Sequence, residues 1–285
     1  MNEPQSLTAL VVGSLSLDLC ETERRGEPSL ADARPGGVVY YAGRALARLG
    51  ACTRVVTSVA EEDARRLLAP LHAEGIETAA RASERTTVYA NDYSRRVDLH
   101  ERRAASDPIR YGDVPREWLE SDIIQLGPLH PRDVLPEVAA HVRGFVGLDV
   151  QGLVRRDTPR GTRFAPFGDL PLFLEHVDVV KANEQELPAI TAGRSAEHFA
   201  RVNAVSELLV TRGARGVRVV TRERVDEIPA PSVDPRFLAG AGDVFLAAYL
   251  MFRVRGRDPV EAARDASEVC GAHISRGEVP KGPAA

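Results

Sequence analysis

Short apolar runs alternate with segments of helical periodicity along almost the whole chain, and few architectures accommodate that order. Residues 10–13, 53–59, 122–126, 145–150, 177–181 and 208–211 read as strands, the first closed by Gly13. Between them, 38–49, 61–74, 131–142 and a segment opening at 184–190 read as helices, with Gly50 and Gly75 ending the first two. Two further strands, 216–221 and 225–228, and two helices, 241–255 and 259–275, close the chain. Strands separated by helices predict a parallel sheet covered on both faces. In such folds ligands gather at the carboxyl ends of the strands. Residues 86–93, which alternate and are rich in Thr, Val and Tyr, and residues 97–102, with the turn formers Asn91, Asp92 and Ser94 nearby, predict a small, partly exposed sheet. A polar stretch spans 21–34, the Arg-, Pro- and Gly-rich segment 155–169 predicts a surface loop, and 280–285 a frayed end.

A chain of 285 residues accommodates one large α/β domain or two smaller ones. Its net charge of −4 gives no reason to expect nucleic acid or an acidic membrane surface as a partner. Only Lys181 and Lys281 are lysines among the 37 basic residues, so a coding bias toward Arg is the simplest account, and Lys181 stands out against it. Cys20, Cys52 and Cys270 are odd in number and scattered, with neither metal-ligand nor disulfide spacing. They fit a reduced, cytoplasmic setting. No basic segment leads into a long apolar run near the start, and no stretch reaches about 18 apolar residues, so neither a signal peptide nor a membrane span is expected.

The chemistry concentrates at Gly240-Ala241-Gly242-Asp243-Val244-Phe245. No Gly-x-x-x-x-Gly-Lys-Ser/Thr run is present, so a bound nucleotide must have its phosphates held in another way. Small residues at 240–242 admit a ligand close to the backbone, and the helix that follows offers unpaired N–H groups to an anion. Asp243, in the first turn, can take a proton from an attacking hydroxyl. Taken alone, the same pattern also describes a glycine-softened helix start with a dipole-compensating Asp.

Its context is a series of landmarks. Val11-Val12-Gly13 and Asp18 are followed by Gly36-Gly37 before a helix ending Ala45-Leu46-Ala47-Arg48-Leu49-Gly50. Then come Asn183-Glu184-Gln185-Glu186, the strand and turn 209–216, and Gly240–Phe245. In order and spacing these resemble the PfkB (ribokinase-like) carbohydrate kinase family from about residue 8 to 278. The resemblance implies a ribokinase-like, three-layer α/β/α Rossmann-like sandwich, one domain over 1–285, with a small β-sheet lid within about 14–35 and 85–105. It implies ATP and Mg²⁺, Asp243 as base, and an anion hole at Gly240, Ala241 and Gly242. Asp18, Gly36 and Gly37 would face the substrate, and Asn183, Thr211, Gly213, Arg215 and Gly216 the nucleotide. Glu186, with Asn183, would organise Mg²⁺ through water.

Two segments depart from the family pattern. The approach Asp234-Pro235-Arg236-Phe237-Leu238-Ala239 is longer and bulkier than the family's Asp-Thr-Thr, which puts a monovalent-cation site in doubt and offers Arg236 as a substitute charge. Tyr40 and Tyr41 stand where sugar kinases often carry Asn, to line a pocket or pack the helix. Gly127-Pro128 and the strand end bearing Asp149, Gln151 and Arg155 resemble inositol kinase-like members, with polar groups suited to several hydroxyls. The acceptor is thus a small sugar or polyol, inositol included. A nucleoside kinase and a non-catalytic ligand-binding relative are the alternatives. Arg95, Arg96, Arg102 and Arg103 either meet phosphates on lid closure or form a solvated face, and the lid strands permit a homodimer.

Overall fold

In the computed structural model, the structure describes residues 6–20, 30, 33–92, 99–158, 161–203 and 205–281. The chain opens with β1 (Thr8–Val12), β2 (Ser16–Cys20), β3 (Arg34–Gly36), α1 (Val38–Arg48), β4 (Cys52–Ala60), α2 (Glu61–His72) and β5 (Glu77–Ser83). It continues through β6 (Thr87–Asp92), β7 (Leu99–Ala104), β8 (Glu120–Leu126), α3 (Pro136–His141), β9 (Arg143–Asp149), α4 (Gln151–Val154), β10 (Arg155–Thr158) and β11 (Gly161–Phe164). The last part comprises α5 (Leu170–Leu174), β12 (Val179–Asn183), α6 (Leu187–Thr191), α7 (Ala196–Val202), β13 (Glu207–Thr211), β14 (Val217–Thr221), β15 (Val225–Ile228), α8 (Ala241–Val254) and α9 (Pro259–Arg276).

A nine-stranded sheet in the order β15-β14-β13-β12-β9-β8-β1-β4-β5 forms the middle layer. It is parallel from β13 to β5, with β14 and β15 antiparallel at one edge. Strand periodicity sorts its side chains into two cores. Ala9, Val11, Ile123, Val179 and Leu209 join α1, α2, α8 and α9. Leu10, Val12, Ile124, Leu126, Leu148, Val180 and Leu208 join α3, α5 and α7 on the opposite face. Each such fully buried Leu, Ile or Val contributes roughly 1.5–3 kcal/mol by leaving water. Residues 244–251 of α8 are all buried, because that helix is apolar all round and lies between the sheet and its neighbours. A second sheet, β3-β2-β6-β7, stands apart from the first. The fold is therefore the ribokinase-like α/β architecture with a small additional sheet.

Two local expectations are corrected, and one further strand is found. Helix 131–142 is reduced to α3, because Leu135 precedes Pro136 and is held extended at φ −81°, ψ 148°. The stretch before it forms a turn around Asp133, whose carboxylate accepts from the Leu129 amide at 2.7 Å and from the Ser14 hydroxyl. The loop expected at 155–169 contains the hairpin β10–β11, in register from Arg155↔Phe164 to Thr158↔Gly161 and packed against β7. The edge strand β5 has no apolar run and is ordered by its ladder with β4, Arg54↔Glu77 to Ala60↔Ser83. Arg95, Arg96, Val97, the Cys20 side chain, most of the polar stretch 21–34 and residues from 282 onward lie outside the described residues.

Candidate active site

The carboxyl ends of β1, β8, β9 and β12 meet the first turns of α1 and α8. Close approach there depends on glycine. A Cβ on Gly13 would strike the Gly127 carbonyl, one on Gly127 would strike Val38, and one on Gly37 (φ +91°) would strike the Ser14 carbonyl. Gly36 lies against the Asp18 carboxylate, which leaves no room for any side chain at 36. Asp18 accepts from the Ser16 hydroxyl at 2.7 Å. Burial raises its pKa to about 6, opposed by that hydrogen bond and by Arg155.

β9 and β12 are parallel neighbours in the register Lys181↔Asp149, so these two side chains project side by side. The Lys181 ammonium donates to Asp149 Oδ2 at 2.8 Å, with the side chains only 3% and 1% exposed. Asp149 Oδ1 accepts from the Gln151 amide at 3.0 Å. Burial works to lower the Lys181 pKa, but Asp149, Glu186 and Asp243 outweigh it and hold the ammonium charged beyond its usual range. Burial raises the Asp243 pKa to about 7, reinforced by Asp149 and Asp18 and opposed by Lys181 and Arg155. A carboxylate titrating there is matched to proton abstraction near neutral pH.

Gly240 caps α8 in the left-handed region at φ 73°. The amide of Ala241 returns to the Leu238 carbonyl and that of Val244 to Gly240, while those of Gly242 and Asp243 have no acceptor among the described residues. A Cβ on Gly242 would lie 2.6 Å from Lys181 Nζ, so the ammonium packs against Gly242 at the start of α8. Helix dipole, free amides and buried cation together make a site for an anion. Gln125, wholly buried on β8, donates to the Asp243 carbonyl at 3.4 Å and steadies the turn. The Tyr41 ring covers Gly240 and meets His273 edge-on at 5.9 Å, and His273 Nε2 lies 2.8 Å from the Ala239 carbonyl. A Cβ at 240 would lie 2.1 Å from Tyr41 Cγ, well inside contact distance. Gly240→Ala is therefore expected to cost about 2 kcal/mol or more in urea unfolding and to remove turnover.

The nucleotide-side candidates form a separate turn cluster. Asn183 Oδ1 accepts from the amides of Gln185 and Glu186 at 2.8 and 2.9 Å. Both Glu186 oxygens accept from Asn183, from its amide and from Nδ2, each at 2.8 Å. Burial raises the Glu186 pKa, with Lys181 opposing. The Thr211 carbonyl accepts from the Glu184 amide at 3.2 Å, tying this turn to the end of β13. Gly213 is exposed, Arg215 pairs with Glu184, and Gly216 (φ +87°) passes against the Ile228 carbonyl. Arg236 is exposed and paired with Asp234 at 3.0 Å. Among the described residues no group of three His, Cys, Asp or Glu side chains could hold a metal ion. Each Glu186 oxygen already accepts one hydrogen bond, an arrangement compatible with a contact to Mg²⁺ through water.

Asp18, Asp149, Lys181, Glu186, Arg155 and Asp243 thus form one electrostatic cluster. Lys181 and Gln125 were not singled out as site residues from the sequence. The rarity of lysine in this chain was the one available signal for the first. None existed for the second, whose place depends on α8 crossing β8. The groove of about 730 Å³ lined by Arg143, Glu175, Asp178 and Ser206 lies at the opposite, amino ends of the strands.

Ligand chemistry at the strand ends and an anion site on a glycine-opened helix are features that a phosphotransferase can use. The chain matches the pfkB family of carbohydrate kinases over residues 7–280, and it belongs to that family. It is 23% identical over 271 residues to the cytidine kinase of Thermococcus kodakarensis, covering 90% of this chain and 92% of that one. Among solved structures it is similar to a pyrophosphate-dependent kinase of the ribokinase family complexed with a pyrophosphate analogue and myo-inositol. The TM-score is 0.81 at 22% identity, over 96% of this chain and 97% of that one. An uncharacterised sugar kinase from Pyrococcus horikoshii in complex with ATP gives a TM-score of 0.72 at 20% identity, over 96% and 95% of the two chains.

Proposed function

We propose that this kinase transfers the terminal phosphoryl group of ATP to a hydroxyl of a small cyclic polyol or sugar, with Asp243 as the base. The observation that carries this reading is the juxtaposition at the start of α8. Two amides without acceptors among the described residues, those of Gly242 and Asp243, open a helix whose Gly242 packs against the Lys181 ammonium, beside a carboxylate whose pKa is pushed up to about 7. The amides and Lys181 would hold a phosphate and stabilise charge developing on it. Asp243 would orient the acceptor hydroxyl and remove its proton as the new P–O bond forms. Asp18, with Gly36 against it, would accept a second hydroxyl of the acceptor. A magnesium ion arriving with the donor would be held by the donor's phosphates and water, in keeping with the engaged oxygens of Glu186.

The inositol acceptor and pyrophosphate donor of the solved neighbour at TM-score 0.81 support a second donor, pyrophosphate, for the same site. The cytidine kinase relative keeps a nucleoside acceptor in the comparison. A panel of myo-inositol, ribose, fructose, adenosine and cytidine against ATP and pyrophosphate separates these readings, with ADP or orthophosphate release as the signal. Turnover with ATP and a polyol or sugar is the expected result. Turnover with pyrophosphate only would replace the donor, turnover with a nucleoside only would replace the acceptor, and no transfer from either donor would remove the reading.

A further inference from the structure

Among the described residues Arg155 has no salt-bridge partner, although its charge acts on three carboxylates, those of Asp18, Glu186 and Asp243. It starts the hairpin β10–β11 directly after the short helix α4, so the end of β9 carries it to the mouth of the site. Its Cζ lies 5.9 Å from the centroid of the Tyr89 ring on β6, in the small sheet. The Gln151 side-chain amide, oriented with its oxygen toward Arg155, accepts from both terminal nitrogens at 2.8 and 3.3 Å. Its Nε is buried with no hydrogen-bond partner. Its charge lowers the pKa of Asp18, Glu186 and Asp243, yet among the described residues it forms no salt bridge with any of them.

A buried donor left unpaired costs on the order of 1–3 kcal/mol, more beside a charge, so the arrangement suits a ligand that completes it. Arginine cannot shed its proton, and its planar fork matches two oxygens of a phosphoryl group. Its position narrows the choice of ligand. Asp18 stands on the side proposed above for the acceptor, Glu186 in the turn at the end of β12, and Asp243 in the first turn of α8.

We propose that Arg155 grips the phosphoryl group in transit between donor and acceptor, with the hairpin β10–β11 and Tyr89 holding the fork in place. This rests on the kinase reading above. In the step, the acceptor oxygen forms a bond to the donor's terminal phosphorus while the bond from that phosphorus to the bridging oxygen breaks. The bridging oxygen leaves with the electron pair on ADP, or on orthophosphate where pyrophosphate is the donor, and the acceptor's proton passes to Asp243. Arg155 binds the equatorial oxygens throughout, and is charged before and after.

The test uses the full chain with Arg155→Gln, Arg155→Lys and Arg155→Ala. Arg155→Gln is expected to lower kcat about 100-fold or more, since a comparable arginine in other phosphoryl-transfer enzymes gives about 10³–10⁵. The KM for the acceptor should stay within about threefold, because the contact is made to the group in transit. Arg155→Lys keeps the charge but not the fork and should fall between. Added guanidinium chloride at low concentration should restore part of the turnover of Arg155→Ala, which a purely structural role would not permit. Unchanged kcat in Arg155→Gln, or a loss confined to acceptor KM, would overturn the proposal. If Arg155→Gln does not fold, the drop in kcat of a normally melting Arg155→Lys decides in its place. Thermal melting with sodium pyrophosphate separates this inference from its parent. A rise in wild-type melting temperature that Arg155→Gln loses supports the phosphoryl site even without turnover, and an equal rise in both overturns it.

Discussion

Asp243→Asn is expected to lose at least about 100-fold in kcat while donor binding, followed calorimetrically with ATP, stays within a few-fold of wild type. The amides of Gly242 and Asp243 and the Lys181 ammonium remain in place in that variant, since they come from the backbone and from β12. What is lost is the acceptor for the hydroxyl proton. In the wild type, activity should follow ionisation of this carboxyl, whose pKa burial raises to about 7. Below that value the rate should fall about tenfold per pH unit, and the limb should vanish in the Asn variant. The same shift has a consequence for stability. The folded protein binds this proton more tightly than the unfolded chain, whose Asp titrates at 3.8, so stability declines as pH rises between the two values. At pH 8 the wild type carries the whole burden of a buried charge. Asp243→Asn should therefore melt above wild type at pH 8, with the gap closing toward pH 4. Turnover close to wild type in Asp243→Asn would exclude its role as base.

Lys181→Met should have the largest effect on stability. Methionine fills the volume of the stem, so the change isolates the charge. Asp149 and Glu186, both almost wholly buried, and Asp243 would lose their shared cation. Removing one member of a buried ion pair costs about 3–5 kcal/mol, here on the order of a 10 °C fall in melting temperature. The loss should shrink on acidification. Lys181 is protonated in both states from pH 5 to 9, because its pKa is raised from 10.5, so its own titration adds no slope in that window. The abandoned carboxylates would instead bind protons in the fold at pH values where the unfolded chain does not, so the variant gains stability as pH falls. Melting at pH 8 and pH 5 checks this, and Asp149→Asn in the same chain should recover part of the loss. A pH-independent deficit would mean that Lys181 acts through packing alone.

The layers of the fold were legible because strand and helix periods are local properties. Alternate residues of β1, such as Leu10 against Val11, already belong to opposite cores. The failures have local causes too. Pro136 cut short the expected helix, and β5 has so little apolar character that only its ladder with β4 defines it. The hairpin β10–β11 looked like a loop because charged residues dominate it, and contact with the small sheet gives it order.

For the site, the sequence by itself determined the glycine turn and the carboxylate beside it: Gly240, Gly242 and Asp243 are contiguous, and what contiguous residues can do at a helix start is a matter of local backbone geometry. It also marked Asp18, Gly36, Asn183 and Glu186 by their order. Only the tertiary structure decided their electrostatics. Lys181 lies 62 positions before Asp243 in the chain and reaches Gly242 because β12 ends beneath α8. Arg155 enters the cluster because the chain turns back after β9, and Tyr41 rests on Gly240 because α1 and α8 pack side by side. A charge acts through space in a medium of low dielectric, so its neighbours in the sequence do not report which carboxylates it will govern.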